Sequence, residues 1–142
     1  MKPGLQIGNQ AVIRAVVTPE MFAQFEGEVI HPVYSTVTMI YHMEWASRLL
    51  ITPYLDEEEE GMGGAVSARH LSPSPEGSPL VITATVSKLA GNAVYSTVTV
   101  HNGEKLAGEG EVKQVILKKS RIADLLKKDY KNSSIRATEK GF

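Results

Sequence analysis

The sequence predicts an α+β protein in which one antiparallel sheet wraps around one long helix. Three observations carry that reading. Residues 36–54 form a continuous run rich in helix-compatible apolar residues, with a capping candidate at its start and Pro53 near its end. Residues 66–117 break instead into segments with a period of two, the signature of half-buried strands. Gly91-Asn92 and Asn102-Gly103 fall between those segments, where two-residue hairpin turns need a backbone that tolerates positive φ.

The elements follow in order. Ala11 to Thr18 is rich in Val and Ile and reads as a strand. Thr18-Pro19-Glu20 resembles a helix start, with room only for a short helix or turn before Gly27. Val29 to Tyr34 reads as a short extended piece, because Pro32 opposes helix there. Ser35 or Thr36 then caps the long helix, which ends near Pro53 or Tyr54. Asp56 to Glu60 and Gly61-Met-Gly-Gly64 are expected to form a solvated loop. Val66, Ala68 and His70 share one strand face, with Ser67 and Arg69 on the other. Leu80, Ile82, Ala84 and Val86 alternate with Thr83, Thr85 and Ser87, and Val94 to Val100 alternates likewise. Leu106 to Leu117 is the last strand, where Gly108 and Gly110 permit a bend or close packing. Ser120 is a candidate cap for a short helix from Arg121 to Lys128, and the polar tail after Tyr130 is expected to fray.

A strand, a long helix and then four strands joined by hairpins offer one apolar sheet face and one apolar helical stripe. The least costly burial lays one on the other. That arrangement is the hotdog fold, expected over residues 1–142 as a single domain with residues from about 119 onward forming the short helix and tail. Its sheet has open edges, so a second copy is expected to cover one of them in a homodimer.

Composition narrows the function. The formal net charge of −1 gives no general attraction to nucleic acid. No apolar stretch approaches the ~18 residues needed to span a bilayer, and residues 1–10 lack the basic-then-apolar pattern of a signal peptide. A cytoplasmic protein without membrane or nucleic-acid partners is expected. There is no cysteine, so disulfides, thiolate metal sites and a cysteine nucleophile are excluded.

Glu44 is the residue that points to chemistry. At about 100° per residue it falls on the stripe of Val37, Ile40 and Ile51. A carboxylate on an apolar stripe is costly unless it is paired, solvated in a pocket or chemically used. The plain alternative is a weak pair with Arg48 one turn later. His70, on the expected inward face beside Val66 and Ala68, is either a core imidazole with a partner or part of a site. Thr36 fits a helix cap. Gly63 and Gly64 fit a turn, and their backbone amides could also donate to a developing oxyanion. His42 and His101 carry no comparable signal, and no metal site is expected.

Pro32-Val-Tyr-Ser-Thr36, His42-Met-Glu44-Trp-Ala46 and Gly63-Gly-Ala-Val-Ser-Ala-Arg-His70 together resemble the fluoroacetyl-CoA thioesterase-like branch of the hotdog acyl-CoA thioesterases, over roughly Gly8 to Leu117. The resemblance implies a catalytic constellation of Thr36, Glu44 and His70, with Gly63, and beside it Gly64, lining the thioester. It implies hydrolysis of a small acyl-CoA without metal or redox cofactor. It also implies a lid aromatic shortly before the threonine, where this chain has Ile30; Phe22-Ala-Gln-Phe25 lies farther upstream. Lys118, Lys119 and Arg121 are the nearest cations for CoA phosphates. A non-catalytic acyl-CoA-binding module and a hotdog hydratase or dehydratase are the rival readings.

Overall fold

The computed structural model describes the backbone of residues 1–139 and the side chains of residues 1–132. The elements are β1 (Gln10–Val16), a 3₁₀ turn (Pro19–Met21), β2 (Phe22–Phe25), β3 (Glu28–Tyr34), α1 (Thr36–Ile51), a second 3₁₀ turn (Thr52–Tyr54), β4 (Glu59–His70), β5 (Pro79–Ala90), β6 (Ala93–Asn102), β7 (Lys105–Lys118) and α2 (Lys119–Glu139). Five strands form an antiparallel sheet in the order β1-β5-β6-β7-β4, and α1 packs on it. This is the hotdog arrangement that the alternation pattern predicts.

The hairpins behave as their residues require. Gly91 and Gly103 hold φ of 60° and 61°, a conformation that β-carbon-bearing residues resist. Ser35 caps α1, its hydroxyl accepting from the Thr38 N–H at 3.0 Å. Thr36 is therefore the first helical residue, and its hydroxyl remains available for other partners.

Four expectations are corrected. First, the buried stripe of α1 is Met39, Met43, Ala46 and Leu50. Val37 is 72% exposed and Glu44 is exposed; of the expected stripe only Ile51 is fully buried. The helix carries apolar residues on more than one side, so periodicity alone could not choose the side that meets the sheet. The small and flexible side chains won, because they fit closely against the sheet: a methyl group at Gly108 would overlap the Met39 thioether. Second, Glu59 to Gly64 is strand, not loop. Glu59 to Gly63 pairs with Lys118 to Gln114, and ladder bonds there outweigh the poor β propensity of Glu and Gly. Third, β4 and β5 are not a hairpin. The chain crosses from one side of the sheet to the other, placing β4 against β7 and β5 against β1. Fourth, α2 runs on to Glu139 instead of ending near Lys128. The part of the expected frayed tail at 140–142 lies outside the described residues.

β3 is the extended piece expected from Val29 to Tyr34, whereas its partner β2 had no clear antecedent in the sequence. β2 and β3 form a separate two-stranded ribbon turning at Glu26 and Gly27, with φ of 51° and 81°. The ribbon carries Tyr34 into the base of α1, where its N–H donates to the Ser74 carbonyl at 2.8 Å.

Candidate active site

The start of α1 meets the end of β4. His70 lies opposite Gly108, the inward position that faces Met39, so its imidazole projects to the helix side as the alternation with Val66 and Ala68 predicts. Thr36 Oγ1 and His70 Nδ1 are 2.9 Å apart. Nε2 of His70 is buried and without a hydrogen-bond partner among the described residues. Burial pushes the His70 imidazole below its usual pKa, only partly opposed by the Ser72 backbone.

Behind this pair sits Tyr34, fully buried, its ring edge-on to His70 with centroids 6.2 Å apart. Its hydroxyl is 2.6 Å from His42 Nδ1, and the two rings stack at 5.7 Å. Burial raises the tyrosine pKa and lowers that of His42. Burial thus favours the uncharged form of each, and hydroxyl and imidazole share one hydrogen bond. Sequence reasoning missed this pair. The available signal was Tyr34 and His42 flanking the cap and first turns of one helix, which becomes informative only once both are known to be inside.

Glu44 occupies a second region of the same helix. Arg48 does not pair with it: the guanidinium is 2.8 Å from Glu60 Oε1, and that contact is the main reason the Glu60 carboxyl lies below the usual carboxylate range. Glu44 has no ion pair or hydrogen bond among the described residues. Its neighbours are glycines and an amide. A methyl group at Gly63 would stand 3.3 Å from Glu44 Oε1. Glu44, Arg48, Gly61, Gly63, Val112 and Gln114 line a cavity of about 130 Å³. A β-bulge between Gly63 and Ala65 turns Gly64 the other way, toward Val115 and Lys113. The structure thus brings Gly63 to Glu44 and Thr36 to His70, and leaves Gly64 on the opposite face.

Eight residues separate Thr36 from Glu44, about 12 Å of rise at roughly 1.5 Å per residue. Within one chain the Thr36–His70 contact and Glu44 therefore lie apart along one helix. A groove of about 500 Å³ adjoins the first, walled by Phe22, Phe25, Thr36 and Val37 among others. Ile30 is 52% exposed and takes no part in that wall. Lys118, Lys119 and Arg121 are exposed at the junction of β7 and α2. No group of three or more metal-ligating side chains occurs among the described residues, nor a helix long and apolar enough to cross a membrane.

A five-stranded antiparallel sheet wrapped on one long helix is the architecture of the hotdog thioesterases. A hypothetical protein of Thermus thermophilus, described as a thioesterase superfamily member, superposes with a TM-score of 0.89 at 39% identity, covering 95% of this chain and 99% of that one. Residues 17–120 match the model of the fluoroacetyl-CoA-specific thioesterase family, and the chain belongs to that family. The fluoroacetyl-CoA thioesterase of Streptantibioticus cattleyicolor is 27% identical over 128 residues, 82% of this chain and 88% of the relative. A solved structure of a fluoroacetyl-CoA-specific thioesterase variant shares the fold, with a TM-score of 0.80 at 23% identity over 90% of this chain and 99% of that one.

Proposed function

We propose that the chain hydrolyses a small acyl-CoA thioester to a carboxylate and free CoA, as a homodimer whose sites lie along the subunit interface. The observation that carries this reading is the Thr36–His70 hydrogen bond at the mouth of α1, with an unpaired carboxylate, Glu44, farther along the same helix. Glu44 attacks the thioester carbonyl or activates water for the attack. His70 orients the thioester and relays to the departing sulfur a proton that it takes up from water. Thr36 fixes the imidazole through its hydroxyl. The first-turn amides of α1 and the backbone at Gly63 stabilise the developing oxyanion. The thiolate is a good leaving group, so orientation and charge stabilisation supply most of what the reaction needs.

Two surface features favour the second copy. Val37, Tyr41, Trp45 and Leu49, spaced four apart on the outer side of α1, are all exposed, an apolar stripe that water covers poorly. β4 is a twelve-residue strand at the edge of the sheet, with Met62 and Val66 exposed beside its open backbone. Pairing two such edges sets the two α1 helices side by side. The Glu44 half-site of one subunit then completes the Thr36–His70 half-site of the other.

The test is a panel of acyl-CoAs with a thiol reagent, run on wild type and Glu44→Gln. Thiol release that drops on the order of 10²-fold or more in kcat in the variant is expected. Binding without thiol release would make the chain an acyl-CoA-binding module. Hydration of an enoyl-CoA without hydrolysis would make it a hydratase. Wild-type turnover by Glu44→Gln would remove Glu44 from the chemistry.

A further inference from the structure

Gln114 is a polar side chain on the inward face of β7, between Val112 and Ile116, and all three are buried. It is only 6% exposed. An amide at such a depth normally satisfies its donors and acceptor within the protein. Gln114 makes no side-chain hydrogen bond among the described residues. It points instead into the cavity of about 130 Å³ that it shares with Glu44.

That cavity is built by two glycines. On β4, Gly61 and Gly63 face inward opposite Ile116 and Gln114. A methyl group at Gly61 would overlap Ile51 and stand 3.5 Å from the Gln114 amide oxygen; one at Gly63 would stand 3.3 Å from Glu44 Oε1. The two missing side chains leave room that the amide and the carboxylate border from opposite walls. A space of this size is roomy enough for water, and water is retained where two or more polar groups converge on it.

We infer that Gln114, with Glu44, holds the water that is consumed in the reaction. This rests on the thioesterase reading above. Water is a reactant whichever role Glu44 plays. Its oxygen bonds to the acyl carbon, either of the thioester or of an acyl-Glu44 anhydride. In the first case the C–S bond breaks with its electron pair on sulfur, which takes a proton. In the second the C–O bond to Glu44 breaks and returns the carboxylate, the sulfur having left earlier. The remaining proton is released from the new carboxylic acid. Where Glu44 is the base, the amide oxygen of Gln114 accepts from one water proton while Glu44 accepts the other; where Glu44 carries the acyl group, the Gln114 oxygen alone turns the water lone pair toward the acyl carbon.

The experiment compares Gln114→Met, which keeps the shape and removes the amide, with Gln114→Asn, which keeps an amide on a shorter stem. Gln114→Met is expected to lose about tenfold or more in kcat with KM within about threefold of wild type and an unchanged melting profile. Gln114→Asn is expected to recover part of that loss, because a second water can fill the space left by the missing methylene. A kcat for Gln114→Met within about twofold of wild type would overturn the inference. So would a loss in Gln114→Asn equal to that in Gln114→Met, which is what a purely packing role gives; should Gln114→Met fail to fold, a wild-type kcat in Gln114→Ala would do the same. Glu44→Gln, measured alongside, keeps the two ideas apart. Loss of activity in Glu44→Gln with a normal Gln114→Met sinks only the water site, whereas a fully active Glu44→Gln sinks the reading beneath it.

Discussion

The Thr36 hydroxyl and the His70 imidazole meet at 2.9 Å although 34 residues separate them in the chain. The contact exists because Ser35, one residue earlier, takes the capping duty that Thr36 would otherwise perform. A cap satisfied from Ser35 frees the next hydroxyl for the histidine. Thr36→Ser keeps that hydroxyl and Thr36→Val removes it while conserving shape. A small loss in the first and a loss of about tenfold or more in kcat in the second is the expected order. Equal kcat in the two variants would reduce Thr36 to a helix residue.

The folded protein is expected to lose stability on acidification. His70 and His42 both have pKa values lowered from 6.5 by burial. A group whose folded pKa is depressed binds protons first in the unfolded chain. Its contribution is therefore fully present above about pH 6.5 and is lost as pH falls through the folded value. Melting curves from about pH 8 to about pH 5 on wild type and His70→Gln measure it. The variant should show a shallower decline on the acid side. An identical decline would remove His70 from the titration and leave it to His42.

Tyr34 and His42 form a buried pair whose members need each other. Tyr34→Phe leaves His42 Nδ1 without its hydrogen-bond partner, which costs about 1–3 kcal/mol. Denaturant unfolding at pH 7.5 or so is the measurement. Replacing both residues, as Tyr34→Phe with His42→Leu, is expected to cost less than the two single changes added, because no orphaned polar atom remains. Additivity would show that the 2.6 Å contact contributes little.

Acyl preference is expected to be broad. Ile30 lies outside the groove beside Thr36, and Phe22 and Phe25 wall it instead. A groove of about 500 Å³ exceeds what a two-carbon acyl group fills. Ratios of kcat/KM for acetyl-, fluoroacetyl- and longer acyl-CoAs test the point. A preference of about a thousandfold or more for the fluorinated ester would show that Phe22 or Phe25 closes over the small acyl group as a lid.

Shared sites make a prediction that separate sites do not. Glu44→Gln and His70→Ala subunits are each expected to be inactive as pure dimers. Mixed and refolded together, they should regain about one quarter of wild-type activity, since half the dimers are mixed and each of those holds one intact site. No recovery in mixtures shown by mass spectrometry to contain mixed dimers would place all three residues of each site in one chain.

The sequence by itself determined what local rules govern. Alternation is a property of the extended chain, so β5, β6 and most of β7 were readable from period two, and so was the inward side of His70 beside Val66 and Ala68. Turns that need positive φ announced themselves through Gly91 and Gly103. The length of α1 followed from its cap and its proline. The family was visible in the sequence as a resemblance, and the match of residues 17–120 to that family agrees with it.

The tertiary structure decided everything that depends on which distant residues meet. α1 bears apolar residues on two sides, and only the close fit against the sheet, as where Met39 meets Gly108, chose Met39, Met43, Ala46 and Leu50 over Val37 and Ile40. Glu44 thereby moved from an expected core position to the mouth of a cavity. Glu59 to Gly63 has no strand propensity of its own and is extended because β7, about fifty residues later, offers it a ladder. Gln114 reads in the sequence as one polar residue in a strand. Its meaning comes from two glycines on β4 and a carboxylate on α1, brought together by packing free energy that no single segment contains.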